Sequence, residues 1–228
     1  MNTAAPASLR TRTRWWGFGV YALISAIHVA SIALGWDVIE YPTKLALMPT
    51  LALAAVWALP SRRPGSAATV VFFALAFSWL GDGAAFFFPF LSDELPAMLL
   101  CFGLAHVAYI WLFWRRVATR PVPAWCLVYV AWWIAMVALL WPSLGALAVA
   151  VAVYGVVLGG TAALSARGGA MTAIGGAVFL ISDTLLALRI FLPEVVAAAA
   201  SGPWIMLTYT LGQGLLVAGI IRLSTERS

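Results

Sequence analysis

Two aspartates lie inside stretches of sequence that are otherwise almost wholly apolar. Asp82 occurs in SWLGDGAAFF and Asp183 occurs in FLISDTLLAL. A charged side chain within the hydrocarbon of a membrane costs about 2.5–3.5 kcal/mol on insertion scales, so such a residue usually faces a protein interior or a wet cavity. Carboxyl groups in such a place can move protons, either as general acid and base or as a proton relay.

Uncharged polar residues accompany the aspartates within the apolar runs. Ser78 lies four residues before Asp82, which places both on one helix face. At a rise of about 1.5 Å per residue, several others reach a similar depth, between the middle of a membrane and its outer surface. A shared depth indicates a common polar site, although each residue could instead serve helix packing. The candidate binding residues in this band are Ser78, His106, Tyr154, Tyr209 and Gln213.

Two cations complete the set of charged residues in or near the apolar runs. Lys44 and Arg189 both fall nearer the outer surface than the aspartates do. Cations at that level can bind a lipid phosphate, and we take both as candidate binding residues. The alternative is that their long side chains reach the interface or neutralise the aspartates.

The composition indicates a membrane protein. Hydrophobic residues make up 64% of the 228-residue chain and charged residues only 9%, whereas soluble domains contain about 25% charged residues. The net charge of +5 could indicate nucleic-acid binding. The arginines, however, form short clusters between apolar runs, where positive residues orient helices in a membrane. We therefore expect no nucleic-acid partner.

The chain contains eight apolar runs of roughly the length that a membrane-spanning helix needs, which is about 20 residues. The connectors between them are brief and carry helix-breaking residues, as in SRRPGS at 61–66 and ARGG at 166–169. None is long enough for a soluble domain. The predicted spans are Trp15–Leu34, Tyr41–Leu59, Ala67–Phe88, Leu95–Trp114, Trp125–Leu140, Leu144–Ser165, Met171–Leu192 and Pro203–Ile221.

Charge supports this count and orients the helices. With the N-terminus in the cytoplasm, the cytoplasmic segments hold eleven of the thirteen basic residues, namely Arg10, Arg12, Arg14, Arg62, Arg63, Arg115, Arg116, Arg120, Arg167, Arg222 and Arg227. Positive residues prefer that side. We therefore predict an all-α polytopic membrane protein of eight transmembrane helices with both termini cytoplasmic. Residues 1–14 form a basic segment, 15–221 a single membrane domain, and 222–228 a tail.

A weak internal repeat links the two aspartates. FSWLGDGAAFFFP around Asp82 is similar to FLISDTLLALRIFLP around Asp183, and each places the aspartate late in a run that ends at a proline. The following runs place His106 and Gln213 after a glycine. Two parallel four-helix repeats would bring the aspartates together across an axis normal to the membrane.

Five short motifs, spread in order along the chain, carry a resemblance to a known family. They are TKLALMP (43–49), SWLGDGAAFF (78–87), CFGLAHVAYI (101–110), GGAVFLISDTLLA (175–187) and YTLGQGLL (209–216). In these motifs the chain resembles the lysoplasmalogenase-like family of membrane proteins, known in bacteria as YhhN. One departure is the leucine that follows Lys44, where the family commonly has a proline.

The resemblance implies a reaction and a catalytic pair. It implies hydrolysis of the vinyl ether bond of a lysoplasmalogen, a lysophospholipid, to a fatty aldehyde and a glycerophospho-base, with Asp82 and Asp183 as catalytic residues. A vinyl ether hydrolyses by protonation at carbon and attack of water on an oxocarbenium ion, and paired carboxyls serve a similar cation in glycoside hydrolysis. No metal or other cofactor is needed. We expect a multi-pass protein of a bacterial cell membrane, in contact with membrane lipids.

Two other functions fit the same residues. Paired intramembrane aspartates and parallel repeats also suit a small proton-coupled transporter. A lipid-binding protein without enzymatic activity is the third hypothesis. The substrate headgroup, the division of acid and base between the aspartates and the oligomeric state stay open at the level of sequence.

Overall fold

The computed structural model describes residues 15–59, 66–117 and 120–225, and the regular structure in these ranges is helical. The all-α prediction is therefore confirmed for them. The predicted basic segment at 1–14, the connector arginines Arg62 and Arg63, and residues 226–228 of the predicted tail lie outside the described residues.

Nine α-helices occur in the described part of the chain, and eight of them have 17 residues or more. Short 3₁₀ turns at Ala124–Cys126, Gly145–Leu147 and Ala166–Gly168 join some of them. The helices are α1 (Trp16–Leu34), α2 (Asp37–Ala58), α3 (Ser66–Asp82), α4 (Ala84–Phe87), α5 (Leu95–Arg115), α6 (Leu127–Leu144), α7 (Ala148–Ser165), α8 (Ala170–Phe191) and α9 (Ala198–Thr225).

The length and apolar composition of the helices indicate a membrane protein. Five helical stretches are long and apolar enough to cross a membrane, and α3 is apolar but shorter. The five are Trp16–Leu34, Leu95–Arg115, Ala124–Gly168, Ala170–Phe191 and Ser201–Thr225. Each of the eight predicted spans coincides with one long helix. That all eight cross the membrane stays a prediction.

The third predicted span is shorter than the sequence indicates. The apolar run predicts a helix through Phe88, but α3 ends at Asp82 and the four-residue α4 follows Gly83. Glycine weakens a helix because it loses the most backbone freedom on ordering. A side chain at Gly83 would also place its Cβ 2.5 Å from Cε2 of Phe87. Asp82 is therefore the last residue of α3.

Seven of the long helices in the described part form a closed ring. Each packs against the next in the order α1, α2, α3, α5, α7, α8, α9, and α9 closes the ring against α1. Helix α6 lies outside and packs on α7 and α8. The ring encloses a core of large side chains that are almost fully buried, among them Leu47, Tyr109, Phe179, Leu216 and Ile220. The two aspartates belong to opposite parts of this ring.

Glycines bring α8 and α9 into close contact. A Cβ added at Gly175 would lie 2.8 Å from the backbone nitrogen of Leu216, and one at Gly212 would lie 2.7 Å from that of Phe179. Small residues at a helix interface allow this approach, which is a main source of helix association within a membrane. The contact fixes Asp183 on α8 relative to Tyr209 on α9.

Basic residues gather at one end of the ring. Arg167 donates from Nη1 to the Phe113 carbonyl at 3.0 Å and from Nε to the Arg120 carbonyl at 2.7 Å. Its guanidinium thus satisfies carbonyls at and beyond the C-terminal end of α5, where a cation is favourable. Arg222 lies at the same end, because a Cβ added at Gly168, next to Arg167, would lie 2.9 Å from Cδ1 of Leu223, next to Arg222. Which side of the membrane this end faces stays a prediction.

Candidate active site

Asp82 and Asp183 line the same cavity. It has a volume of about 140 Å³ and is bounded by six helices, α2, α3, α5, α7, α8 and α9. Five of the candidate site residues line it, namely Lys44, Asp82, Tyr154, Asp183 and Tyr209. The rest of its wall is mainly apolar. The two aspartates interact electrostatically, so two carboxyl groups face a small, largely apolar space.

Asp82 is held by a tyrosine from the other half of the chain. The hydroxyl of Tyr209, on α9, donates a hydrogen bond of 2.7 Å to Oδ2 of Asp82. The Tyr209 ring packs edge-on against Phe102 and Phe179, with ring centroids 5.9 and 5.5 Å apart. Because its ring is fixed on two sides and only 4% of the residue is exposed, Tyr209 orients the carboxyl.

Asp183 has a matching tyrosine and, in addition, a histidine. The hydroxyl of Tyr154, on α7, donates a hydrogen bond to Oδ2 of Asp183. The same hydroxyl lies 3.4 Å from Nε2 of His106, and that nitrogen lies 3.9 Å from Oδ2 of Asp183. The Tyr154 hydroxyl therefore links a carboxyl group to an imidazole that is itself completely buried.

Thr161 sets the direction of the histidine ring. Its hydroxyl lies 3.1 Å from Nδ1 of His106 and donates to the Val157 carbonyl at 3.0 Å. When it donates there, it accepts the Nδ1 hydrogen of His106. Nε2 faces Tyr154 and Asp183, and because the single hydroxyl hydrogen of Tyr154 goes to Asp183, protonation of the ring at Nε2 supplies an N–H that can donate to the Tyr154 oxygen. A proton can move along this short chain of groups.

Lys44 supplies a cation to the cavity. It is half-buried on α2, and among the described residues no carboxylate lies within ion-pair distance of its ammonium group. The preceding residue, Thr43, lies 2.9 Å from Nδ1 of the fully buried His28, which connects α1 to α2 beside the lysine. Lys44 can therefore bind an anion at the cavity wall.

Three candidates lie behind the cavity wall. Gln213 accepts a hydrogen bond of 2.7 Å from the Tyr109 hydroxyl and donates one of 2.9 Å to Ser78. This network joins α9 to α5 and α3, one turn before Asp82. Ser78, His106 and Gln213 are all fully buried, and none lines the cavity. They support the aspartates and their tyrosines from behind.

The structure places Arg189 apart from this cluster. The residue is exposed near the end of α8 and does not line the cavity. Its Nη1 lies beside the start of α9, since a Cβ added at Gly202 would be 3.3 Å from it. Of the two candidate cations, only Lys44 reaches the space that the aspartates share.

Sequence reasoning missed Thr161 and gave Ser182 no role. Thr161 lies seven residues after Tyr154, about two helical turns, which puts both on one face of α7. That spacing could have indicated it. Ser182 lines the cavity and donates to the Ile205 carbonyl at 2.9 Å, which fixes α8 to α9 next to Asp183.

Among the described residues, no group of three or more His, Cys, Asp and Glu side chains is placed to hold a metal ion.

The fold and the cavity define a helical membrane protein with a buried acidic site. The chain belongs to the YhhN family, the lysoplasmalogenase family, which it matches over residues 39–220. The matched range contains all nine candidate site residues, and it confirms the resemblance seen in the motifs. No curated protein and no solved structure matches the chain.

Proposed function

We propose that this protein is an intramembrane hydrolase that cleaves the vinyl ether bond of lysoplasmalogen-type lysophospholipids. The products are a fatty aldehyde and a glycerophospho-base. The observation that carries the proposal is that Asp82 and Asp183, far apart in the chain, line one small cavity. Family membership supports the same reaction.

The reaction needs one acid and one base, and the aspartates supply them as a pair. The protonated carboxyl gives its proton to the vinyl carbon distant from oxygen, which leaves an oxocarbenium ion at the adjacent carbon. The other carboxylate takes a proton from a water molecule as its oxygen bonds to that carbon. The hemiacetal then breaks its bond to the glycerol oxygen, which takes the proton that the second carboxyl received from water, while the hemiacetal hydroxyl gives its proton to the first carboxylate. The products are the aldehyde and a free glycerol hydroxyl, and both carboxyl groups return to their starting states. Paired carboxyls in a site of low dielectric readily share a single proton.

The tyrosines fix both carboxyl groups for this work. Each donates to Oδ2 of its aspartate, so Oδ1 can face the substrate or the attacking water. Groups held in this way need little reorganisation when charge develops in the transition state. His106 lies behind Tyr154 and can take or return a proton through the Tyr154 hydroxyl. This chain holds Asp183 in proton exchange with the imidazole.

Lys44 binds the phosphate of the substrate in this proposal. A phosphate attracts a partly desolvated cation strongly, and the Lys44 ammonium is at the cavity wall. Arg189, at the surface near the end of α8, contacts the headgroup only outside the cavity.

We further propose eight membrane spans in a bacterial cell membrane with both termini cytoplasmic, so that the substrate enters from the outer leaflet.

The position of the cavity favours a hydrolase over a transporter. A carrier must expose its site to both sides of the membrane. The lining residues Leu95 and Met98 lie at the start of α5, and Ile190 and Phe191 lie at the end of α8, so the cavity is displaced toward one end of the ring. A catalytic pocket needs access from one side only.

Aldehyde release by the purified protein tests the proposal. The substrate is a lysoplasmalogen, and the control lipid is its saturated ether analogue, which cannot form the oxocarbenium ion by protonation. We expect aldehyde from the vinyl ether alone. Asp82→Asn and Asp183→Asn should each lower kcat by about a hundredfold or more, the usual effect of removing a general acid or base.

Asp93→Asn is the matched control. Asp93 is an exposed loop residue whose Oδ1 accepts the backbone hydrogen of Leu95, and asparagine can keep that bond. This variant should retain wild-type activity. Full activity in both cavity variants would contradict the catalytic pair. Binding of the lipid without turnover in the wild type would favour the non-enzymatic lipid-binding hypothesis.

A further inference from the structure

An apolar groove on the outside of the helix ring meets the catalytic cavity. The groove lies between α5 and α7 and has a volume of about 400 Å³. It runs from Pro96 and Val149, at the starts of the two helices, to Val107 and Val157 near their middles. Apart from the Tyr154 side chain, its wall is formed by Pro, Leu, Val, Ala and Gly, which suits hydrocarbon.

Two residues separate this groove from the cavity. Leu99 on α5 and Tyr154 on α7 line both spaces. Leu99 is half-buried, and Tyr154 is the residue whose hydroxyl bonds Asp183. Opposite Tyr154, α5 has only a hydrogen atom, at Gly103, whose added Cβ would lie 3.9 Å from Cδ2 of Tyr154. The two spaces therefore lie on either side of a thin wall that these two side chains form.

The volumes indicate that a lipid must use both spaces. Pockets that enclose a small-molecule ligand usually measure about 300–1,000 Å³, whereas the catalytic cavity measures about 140 Å³. It can hold the vinyl ether and the groups next to it, but not a long hydrocarbon chain as well. The chain of a bound lysolipid must lie elsewhere, in a space that begins at the aspartates.

We propose that the groove between α5 and α7 binds the hydrocarbon chain of the substrate, which passes between Leu99 and Tyr154. The inference rests on the proposed vinyl ether hydrolysis and adds the chain-binding subsite to it. The substrate class is then a lysolipid with one long chain, whose vinyl ether lies at the aspartates, between the chain in the groove and the headgroup. The headgroup remains on the Lys44 side of the cavity.

Two other spaces on the described surface fit this role less well. A larger groove, of about 940 Å³ between α1 and α9, shares no lining residue with the cavity. A cleft among α6, α7 and α8 contacts both Tyr154 and Asp183, but its volume is about 50 Å³. Of these three spaces, the groove between α5 and α7 is the one that both shares lining residues with the cavity and is large enough for a hydrocarbon chain.

The groove acts by positioning rather than by affinity. A hydrocarbon chain in the bilayer is already in apolar surroundings, so transfer into an apolar groove yields little hydrophobic free energy. The groove instead fixes the direction of the chain and hence the distance from the vinyl carbon to the carboxyl groups. Misplacement of reacting atoms by about 1 Å can lower a rate by about a hundredfold.

Gly103→Leu tests this role, with Gly19→Leu as its matched control. A leucine at 103 would project into the groove, and nothing lies within 4 Å of an added Cβ at Gly19 on α1. Both changes insert the same side chain into an apolar helix. For a long-chain vinyl ether lysolipid, Gly103→Leu should lower kcat/KM by about tenfold or more, while a short-chain analogue should change by less than about twofold. Gly19→Leu should behave as wild type with both.

The result that overturns the proposal is equal loss, or no loss, on the two chain lengths in Gly103→Leu. Binding is followed separately with a lysolipid that carries a photoactivatable diazirine in its chain. Labelling of α5 and α7 peptides should be saturable, should be competed by unlabelled lysolipid, and should fall in Gly103→Leu but not in Gly19→Leu. If the wild type hydrolyses no vinyl ether, the proposed function fails while this labelling still tests the groove. Labelling confined to α1 and α9 would contradict the groove directly.

Discussion

The hydroxyl of Tyr154 bonds Oδ2 of Asp183 and lies 3.4 Å from Nε2 of His106. One phenol therefore connects a carboxyl group that lines the cavity with an imidazole that does not line the cavity. Tyr209 makes the corresponding bond to Asp82 at 2.7 Å, without a histidine behind it. The two aspartates thus have similar direct partners and different surroundings, as a division into acid and base requires.

Removal of either tyrosine hydroxyl should slow catalysis. Tyr154→Phe and Tyr209→Phe each remove one hydrogen bond to a carboxyl group, which contributes about 1.5–3 kcal/mol. We expect kcat for aldehyde release to fall by roughly tenfold or more in each. Tyr129→Phe is the control, since Tyr129 on α6 lines neither the catalytic cavity nor the outer groove. Unchanged kcat in both cavity variants would show that the tyrosines do not position the carboxyls.

The two histidines, His106 and His28, allow the proposed proton transfer between Asp183 and His106 through Tyr154 to be tested with a matched control. Asparagine can reproduce the Nδ1 interaction of each ring and lacks Nε2. His106→Asn therefore keeps the partner Thr161 and loses the nitrogen that faces Tyr154. His28→Asn keeps Thr43 and loses only Nε2, which has no hydrogen-bond partner among the described residues.

His106→Asn should lower kcat by about tenfold and narrow the pH range of activity, because Asp183 loses its route for proton exchange. His28→Asn should leave kcat within about twofold, because the Nε2 it loses makes no hydrogen bond. Rates measured across pH for both variants check this. If both variants lose activity equally at every pH, His106 acts only by packing.

Lys44 and Arg189 can be separated by their effect on headgroup binding. Lys44→Met removes the cation at the cavity wall, and a hydrogen bond to a charged group contributes about 1.5–3 kcal/mol. We expect KM for the lysophospholipid to rise by about tenfold to a hundredfold, and KM for a vinyl ether without phosphate to stay unchanged. Arg189→Met should change neither value much, since Arg189 lies outside the cavity. The reverse pattern would assign the phosphate to Arg189.

The contact of α8 with α9 predicts a stability effect. Gly212→Ala would place a methyl group 2.7 Å from the backbone nitrogen of Phe179, so the helices must move apart. Overpacking of this kind costs about 1–3 kcal/mol. Gly19→Ala, with nothing within 4 Å of the added Cβ, should be neutral or stabilising. Thermal unfolding in detergent measures both, and equal transition temperatures would contradict the close approach.

Much of the helix content and the key residues could be predicted from sequence. Apolar runs bounded by Arg, Pro and Gly predict helices, because each run must satisfy its own backbone hydrogen bonds within a membrane. The helix bounds agree with the predicted spans to within a few residues at most ends. The aspartates stand out because charge is rare and costly in such runs.

Partnerships between helices could not be predicted in the same way. The repeat places His106 in the run after Asp82, yet the histidine lies near Asp183. Gln213, in the run after Asp183, bonds Ser78 beside Asp82. These contacts cross between the halves because they depend on the order of helices around the ring, which apolar periodicity does not encode. Arg189 shows the same limit, because it follows Asp183 by under two helical turns on α8 but does not line the cavity.

The measurement closest to the central claim is hydrolysis in D₂O with mass analysis of the aldehyde. Protonation of the vinyl carbon by Asp82 or Asp183 places a solvent-derived deuterium on the carbon next to the aldehyde group. The account predicts aldehyde with a single deuterium at that carbon from the wild-type protein, and loss of this product in Asp82→Asn and Asp183→Asn. Unlabelled aldehyde from the wild type, or labelled aldehyde at full rate from both variants, would contradict it.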